Sequence, residues 1–135
     1  MQKNLPLFFS LGSVVLFFLS LTQDCYFTDR LDSLTPGWAL LLTGWIGFLY
    51  GYFTWFANPL LFLSWIGFFR KNFQLSFLAS LGAILVMLSF LLYDKIVTSE
   101  APNYSLITGY GLGYWLWVAS AFFLFAANIL SKKIR

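Results

Sequence analysis

The sequence contains no histidine and a single cysteine, Cys25, among its 135 residues. One cysteine cannot form an internal disulfide, and a chain without histidine lacks the usual haem, zinc and imidazole general-base sites. Charged residues are also scarce, at 10% of the chain, whereas 60% of the residues are apolar. A soluble globular domain carries more charge than this. The composition therefore excludes much of enzyme chemistry and indicates an integral membrane protein.

The few charges lie in short segments between long apolar runs. The runs that could cross a membrane are residues 5–22, 37–57, 73–93 and 109–130. Six of the eight basic residues lie at Lys3, Arg70-Lys71 and Lys132-Lys133-Arg135. The segments 22–36 and 94–108 carry all five acidic residues with only Arg30 and Lys95 between them, so both segments are net negative. Because basic segments stay in the cytoplasm, this pattern predicts four spans with both termini cytoplasmic. We expect an all-α fold, a four-transmembrane-helix bundle that forms a single domain over residues 1–135.

The first apolar run, Leu5 to Leu21, also has the composition of a signal-peptide core. Ser20-Leu21-Thr22 is a poor cleavage site, because signal peptidases require small residues at two spaced positions. We therefore expect a retained first span.

The second run is too long for one span. No charged residue occurs from Gly37 to Phe69, and a helix of that length would reach about 50 Å, against about 30 Å of hydrocarbon core. The strongest local signal inside it is Asn58-Pro59, since Asn caps helices and Pro favours their first turn. We expect a broken second span with its break at Asn58-Pro59.

Two interpretations account for the apolar residues that exceed the length of one span. In the favoured one, residues 37–57 cross the membrane and Asn58 caps a short helix over residues 59–69, which lies along or dips into the inner leaflet. In the alternative, residues from about Tyr50 to Phe69 cross, and residues 37–49 form an external interfacial or re-entrant piece. Tyr50 and Tyr52 then lie in the aromatic belt.

Small residues recur at helical spacing in the same run. They are Gly44, Gly47, Gly51, Thr54 and Asn58. On one helix they share a face, which predicts close packing against another helix or, as an alternative, the lining of a pore. Similar inward stripes are predicted in the other runs: Pro6, Ser10, Ser13, Phe17 and Ser20; Ser76, Ala79, Ser80 and Ala83; and Gly109, Gly113, Ser120 and Ala127.

The segment Thr108-Gly109-Tyr110-Gly111 invites comparison with the potassium-channel filter. It lacks the residue that the filter has between threonine and the first glycine, and no pore helix precedes it. We interpret Gly109, Gly111 and Gly113 as the tight start of the last helix, with tyrosines at the membrane interface.

An external site of acidic residues is the remaining candidate for chemistry. Asp24, Asp29, Asp32 and Cys25 could together bind a cation or act in catalysis, but their spacing fits neither a metal-ligand nor a nucleophile pattern. We therefore predict no catalytic residue, no metal ligand and no cofactor. The basic residues are explained by topology, so no nucleic-acid partner is expected.

Three segments resemble a group of uncharacterised small bacterial membrane proteins with four spans. They are Trp55-Phe56-Ala57-Asn58-Pro59-Leu60-Leu61, Ser89-Phe90-Leu91-Leu92-Tyr93 and Thr108-Gly109-Tyr110-Gly111-Leu112-Gly113-Tyr114-Trp115-Leu116-Trp117. The resemblance covers residues 36–120 and implies a bacterial inner-membrane location. It carries no activity over to this chain.

Together these features predict a non-enzymatic inner-membrane protein that acts by helix packing in the lipid bilayer, with other membrane proteins or with itself. Immunity or an accessory-subunit role belongs to this class. An oligomeric channel lined by the Gly44 to Asn58 face is the first alternative. An enzyme with a site in the external acidic loop is the second.

Overall fold

The computed structural model describes residues 4–28, 36–50, 52–93, 95–99 and 103–134. These parts are mostly helical. The α-helices are α1 (Leu5–Ser20), α2 (Gly37–Thr43), α3 (Ala57–Phe69), α4 (Phe73–Ser89) and α5 (Leu112–Ile134). Segments of 3-10 helix at Gly44–Tyr50, Thr54–Phe56 and Phe90–Leu92 follow α2, precede α3 and follow α4.

Two helical segments are long and apolar enough to cross a membrane, Phe73–Leu92 and Leu112–Ser131. Each has 20 residues, which corresponds to about 30 Å of helix. Shorter apolar helical segments cover Leu5–Ser20, Gly37–Ile46 and Thr54–Phe69.

Four of the helices form an antiparallel bundle. α1 packs along α5, α5 against α4, and α4 against α3. Aromatic side chains also bring α1 into contact with α3, since the Phe17 ring lies 5.4 Å from that of Phe62 and 5.3 Å from that of Trp65. The Trp65 indole N–H also donates to the Ser13 hydroxyl at 3.0 Å.

The inward faces of α1, α4 and α5 are the predicted small-residue stripes. In α1 the buried residues are Pro6, Ser10, Ser13, Phe17 and Ser20. In α4 they include Ser76, Ala79, Ser80 and Ala83, and in α5 Gly113, Ser120 and Ala127 are buried. These predictions are confirmed for the buried residues named, since small side chains at a spacing of three and four let helix backbones approach. Gly109, predicted as part of the last stripe, lies before α5 and is only half-buried.

A tight turn connects α3 to α4, and the end of the bundle that contains it is called the turn end. Lys71, with φ 63°, occupies the left-handed position that closes α3. Its N–H donates to Phe68 O, and the N–H of Asn72 donates to Gly67 O at 2.8 Å, the bond pattern of a Schellman motif. The Asn72 side chain then caps α4 by accepting from Leu75 N. Local sequence signals therefore build this turn.

The opposite end carries a small antiparallel sheet and is called the sheet end. Its strands are β1 (Tyr26–Thr28), β2 (Lys95–Ser99) and β3 (Asn103–Tyr110), in the order β1-β3-β2. The fold is therefore mostly helical but not all-α, since strands lie in the described parts of segments 22–36 and 94–108, which were predicted as loops. The strands β1 and β3 are separated by most of the chain, and β1 has three residues, too few for an alternating pattern to indicate a strand.

The predicted second span is also wrong in its bounds. No helix runs from residue 37 to 57, because α2 ends at Thr43 and the 3-10 helix that follows ends at Tyr50. Helical structure resumes at Thr54 and continues through Asn58 and Pro59 to Phe69. The break therefore precedes Thr54, and the division of the chain fits the alternative interpretation better.

Pro59 does not break the helix because it is the third residue of α3. The first four N–H groups of a helix have no partner within it, so a proline there removes no hydrogen bond. Phe56, not Asn58, is the N-cap residue. The predicted capping role of Asn58 is therefore wrong, and its side chain has another partner described below.

Candidate functional site

The interior of the bundle contains many polar side chains. The buried ones are Ser10, Ser13, Ser20, Thr54, Asn58, Ser64, Ser76, Ser80, Ser120, Asn128 and Ser131. Several hydroxyls donate to a carbonyl one turn earlier in the same helix, as Ser10 does to Leu7 O at 2.8 Å and Ser120 to Trp117 O at 2.6 Å. These serines need no external partner and act mainly as small residues at helix contacts.

Three side chains form a hydrogen-bonded cluster across α3, α4 and α5, called the Ser64–Ser76–Asn128 cluster. Ser64 and Ser76 are fully buried, and Asn128 is 2% exposed. The Ser64 hydroxyl donates to Ser76 O at 2.7 Å, so the 3.1 Å contact between the two hydroxyls has Ser76 as its donor. The Asn128 amide N–H donates to the Ser76 hydroxyl at 2.9 Å.

The cluster leaves one buried acceptor without a partner. The Asn128 amide nitrogen also donates to Leu124 O at 3.0 Å, which fixes the orientation of the amide because a carbonyl there requires a donor. Asn128 Oδ1 has no hydrogen-bond partner among the described residues. A buried acceptor of this kind costs about 1–3 kcal/mol. The cluster thus ties three helices together but is not fully satisfied.

A second polar contact joins α3 to α5 nearer the sheet end. The Trp117 indole N–H donates to Asn58 Oδ1 at 2.8 Å. Asn58 is buried, and Thr54, one turn earlier, has a buried hydroxyl with no partner among the described residues. The sequence predicted Asn58 as a notable polar residue, but nothing in the local sequence identifies Trp117 as its partner.

The residues of the predicted packing or pore face are divided between two segments. Gly44 and Gly47 belong to the 3-10 helix Gly44–Tyr50, whereas Thr54 and Asn58 belong to the helix that ends at Phe69. Gly51 lies outside the described residues. A Cβ at Gly44 would lie 2.8 Å from Trp55 Cδ1. Gly44 therefore packs closely against the tryptophan that precedes α3, and the four described residues do not share one helix face.

Two of the three predicted start glycines lie at a close backbone contact. The N–H of Gly111 donates to Cys25 O at 2.9 Å, and that of Gly113 donates to Asp24 O at 3.0 Å. A Cβ at Gly111 would collide with Asp24 O. Gly109 is instead in β3, opposite Phe27, so α5 begins three residues later than the predicted span.

Aromatic rings fill the space between the sheet and the helices. The Phe90 ring lies 5.3 Å from Tyr26, 5.7 Å from both Tyr93 and Tyr110, and 5.5 Å from Tyr114. The Tyr114 hydroxyl donates to Met87 O at 2.8 Å. Ring contacts of this geometry contribute beyond their buried area. They fix the sheet onto α4 and α5.

Of the predicted external acidic site, Asp24 and Cys25 belong to the described residues. Asp29 and Asp32 lie outside the described residues. Burial, followed by the neighbouring Asp24 carboxylate, raises the pKa of the Cys25 thiol to about 12. Such a thiol is a poor nucleophile at neutral pH. In the part of the chain that the structure describes, no three His, Cys, Asp or Glu side chains come together as a metal site requires.

No protein family, curated protein or solved structure matches the chain. The function therefore has to be inferred from the bundle itself. Two members of the main polar cluster, Ser64 and Asn128, were not predicted from the sequence. Asn128 could have been identified because it lies inside an apolar run, where an asparagine side chain is costly in lipid unless it has a hydrogen-bond partner.

Proposed function

We propose that the chain is a non-enzymatic, multi-pass protein of the bacterial inner membrane. In this proposal it acts by packing its helices against other membrane proteins or against copies of itself. Its four spans are α1, the helical segment Thr54–Phe69, and the segments Phe73–Leu92 and Leu112–Ser131. The turn end, with Arg70 and Lys71, faces the cytoplasm together with both termini, and the sheet end faces outward.

The observation that carries the proposal is the use of the buried polar groups. Many of them bond to carbonyls of their own helix or join neighbouring helices, as the Ser64–Ser76–Asn128 cluster does. The exceptions are the Thr54 hydroxyl and Asn128 Oδ1, which have no partner among the described residues. Small and hydroxyl-bearing residues at helix contacts are the means by which membrane helices associate. These contacts join helices of the same chain, and they support a protein built for helix packing.

The pore alternative receives less support from the geometry. Its lining requires Gly44 and Asn58 on one continuous face, but a non-helical stretch separates the two segments that carry them. Asn58 Oδ1 also already accepts a hydrogen bond from Trp117. A pore-lining amide would have its oxygen open to the permeating ion or water.

Ion flux into vesicles and energy transfer between copies test the proposal together. We expect vesicles that contain the full chain to leak protons, potassium and chloride no faster than empty vesicles. Flux that Asn58→Leu abolishes would overturn the proposal in favour of the channel. Energy transfer between donor-labelled and acceptor-labelled copies, lost on dilution with unlabelled chain, would identify the chain itself as the packing partner.

A further inference from the structure

The segment of residues 37–50 is uncharged, apolar and largely outside the core. It consists of α2 and the 3-10 helix Gly44–Tyr50. Leu40 and Leu41 contact the core. The large side chains that it exposes are Trp38, Leu42, Trp45, Ile46 and Leu49. Leu49 is 72% exposed, so the surface of this segment requires an apolar or interfacial partner.

The beginning of the 37–50 segment is tied to the sheet end of the bundle. The N–H of Gly37 donates to Gln23 O, and that of Trp38 donates to Leu21 O, both at 3.0 Å. Leu21 and Gln23 directly follow α1. A Cβ at Gly37 would collide with Ser20 O. The segment therefore starts at the level where α1 ends.

The middle of the segment lies at the same level. The Trp55 indole N–H donates to Leu41 O at 2.9 Å, and the Trp55 ring packs against Gly44. Trp55 is the second residue of the helical segment that crosses to the turn end. The middle of the 37–50 segment therefore also lies at the sheet end of the bundle.

The chain is still at the sheet end after the segment. The Tyr52 hydroxyl donates to Lys95 O at 3.1 Å, and the N–H of Phe53 donates to the Tyr93 hydroxyl at 3.4 Å. Tyr93 and Lys95 follow the end of α4. Since the beginning, the middle and the continuation all contact one end, the segment runs across the bundle end and neither crosses nor loops into it.

That end coincides with the expected edge of the hydrocarbon. The segment Phe73–Leu92 has 20 residues, so its length of about 30 Å matches the hydrocarbon core. Its last residue, Leu92, is exposed, as are Phe18 and Leu19 at the end of α1. The exposed side chains of the 37–50 segment are also apolar, and they include Trp38 and Trp45, the residue type enriched at membrane interfaces.

We infer that the 37–50 segment lies in the plane of the outer membrane interface, with its exposed side chains in the boundary between lipid headgroups and acyl chains. Its partner is the lipid bilayer. This inference rests on the proposed membrane function and adds a lipid-binding surface to it. The segment anchors the sheet end at a fixed depth in the membrane, as interfacial amphipathic helices do at this boundary.

Depth measurements with spin labels test the inference on the full chain in phosphatidylethanolamine and phosphatidylglycerol vesicles. Labels are attached at Leu42→Cys and Leu49→Cys in a Cys25→Ser background, because both leucines are exposed. Phe122→Cys, near the middle of Leu112–Ser131, is the deep reference. The depth of each label is read from two collision rates, one with oxygen, which is concentrated in the lipid, and one with a water-soluble nickel chelate.

We expect the labels at positions 42 and 49 to read the same shallow depth at the headgroup boundary. A spanning helix would instead separate seven residues by about 10 Å of depth. A depth difference of that size, or full exposure of both labels to water, would overturn the inference. Spin–spin broadening at position 42 that disappears when labelled chains are diluted with unlabelled ones would assign the surface to a second copy, and would also overturn it.

The reference label separates the two levels of the proposal. A deep reading at position 122 supports the membrane location, whatever positions 42 and 49 show. A shallow or aqueous reading at position 122 would mean that the proposed membrane function has failed, and the inference with it. The variant Trp45→Lys with a label at position 42 gives a further readout, since a charge on the exposed face should shift that label toward water.

Discussion

At the turn end of the bundle, a local turn motif and a polar side-chain cluster hold the helices in place, whereas at the sheet end close backbone contacts between distant segments are added to the aromatic packing. The turn end has the αL residue Lys71, the cap Asn72 and the Ser64–Ser76–Asn128 cluster. The sheet end has backbone contacts between segments far apart in the chain, such as Gly111 to Cys25. A side-chain contact tolerates a change by relaxing, while a backbone contact tolerates little added volume. We therefore expect substitutions at the sheet end to have the larger effects.

Labelling of Cys25 should give the largest contrast. Because its pKa is raised from 9.0 to about 12, the folded chain at pH 8 should hold about a thousandfold less thiolate than the unfolded chain, and thiolate is the form that reacts. Maleimide uptake followed by mass spectrometry, in mild detergent and in sodium dodecyl sulfate, measures this. Thr22→Cys in a Cys25→Ser chain is the matched control, because Thr22 is exposed and should react quickly in both states.

The same thiol makes stability depend on pH. Its stabilising contribution is fully present below pH 9, and it is lost as the pH rises from 9 toward 12, because the unfolded state ionises first. Equal labelling rates for Cys25 in the folded and the unfolded chain would contradict the burial that raises its pKa.

Gly111→Ala should lower the free energy of unfolding by about 3 kcal/mol. The added methyl group would collide with Asp24 O, and a backbone atom cannot move aside without disturbing the link between α1 and β1. Gly109→Ala is the control, since its Cβ would meet Phe27 at 3.9 Å, an ordinary contact. Unfolding in detergent measures both, and equal stability of the two variants would contradict the backbone contact.

The two buried asparagines should respond differently to the same substitution. Asn58→Leu removes the acceptor of the Trp117 indole N–H, so we expect a loss of about 1 kcal/mol. Asn128→Leu also removes hydrogen bonds, worth about 0.6 kcal/mol each on average in membrane proteins. It removes the unpartnered Oδ1 as well, so we expect little net change. A larger loss for Asn128→Leu than for Asn58→Leu, in the same unfolding assay, would reverse the ranking of the two ends.

Lys71→Gly should have the smallest effect and the opposite sign. Glycine adopts the αL conformation without strain, so we expect a gain of up to about 1 kcal/mol. Lys71→Ala is the control for loss of the charge and should give no gain. If thermal unfolding shows the two variants equally stable, the turn does not depend on its αL residue.

The features that the sequence could predict are those encoded within a single helix. The inward stripes of α1 and α4 follow a helical period, and each stripe is encoded within its own helix, so both were predictable. The sheet and the contact between Asp24 and Gly113 join residues far apart in the chain, and no local pattern records them. Asn58-Pro59 was misleading because proline fits the first turn of a helix as well as its first position.

In the proposed function, the two ends of the bundle lie on opposite sides of the membrane. Labelling of intact and permeabilised cells with a membrane-impermeant maleimide tests it most directly, using Thr22→Cys at the sheet end and Gln74→Cys at the turn end, both exposed, in a Cys25→Ser chain. We predict that position 22 reacts in intact cells and that position 74 reacts only after permeabilisation. Reaction of both positions in intact cells, or of neither, would contradict the claim.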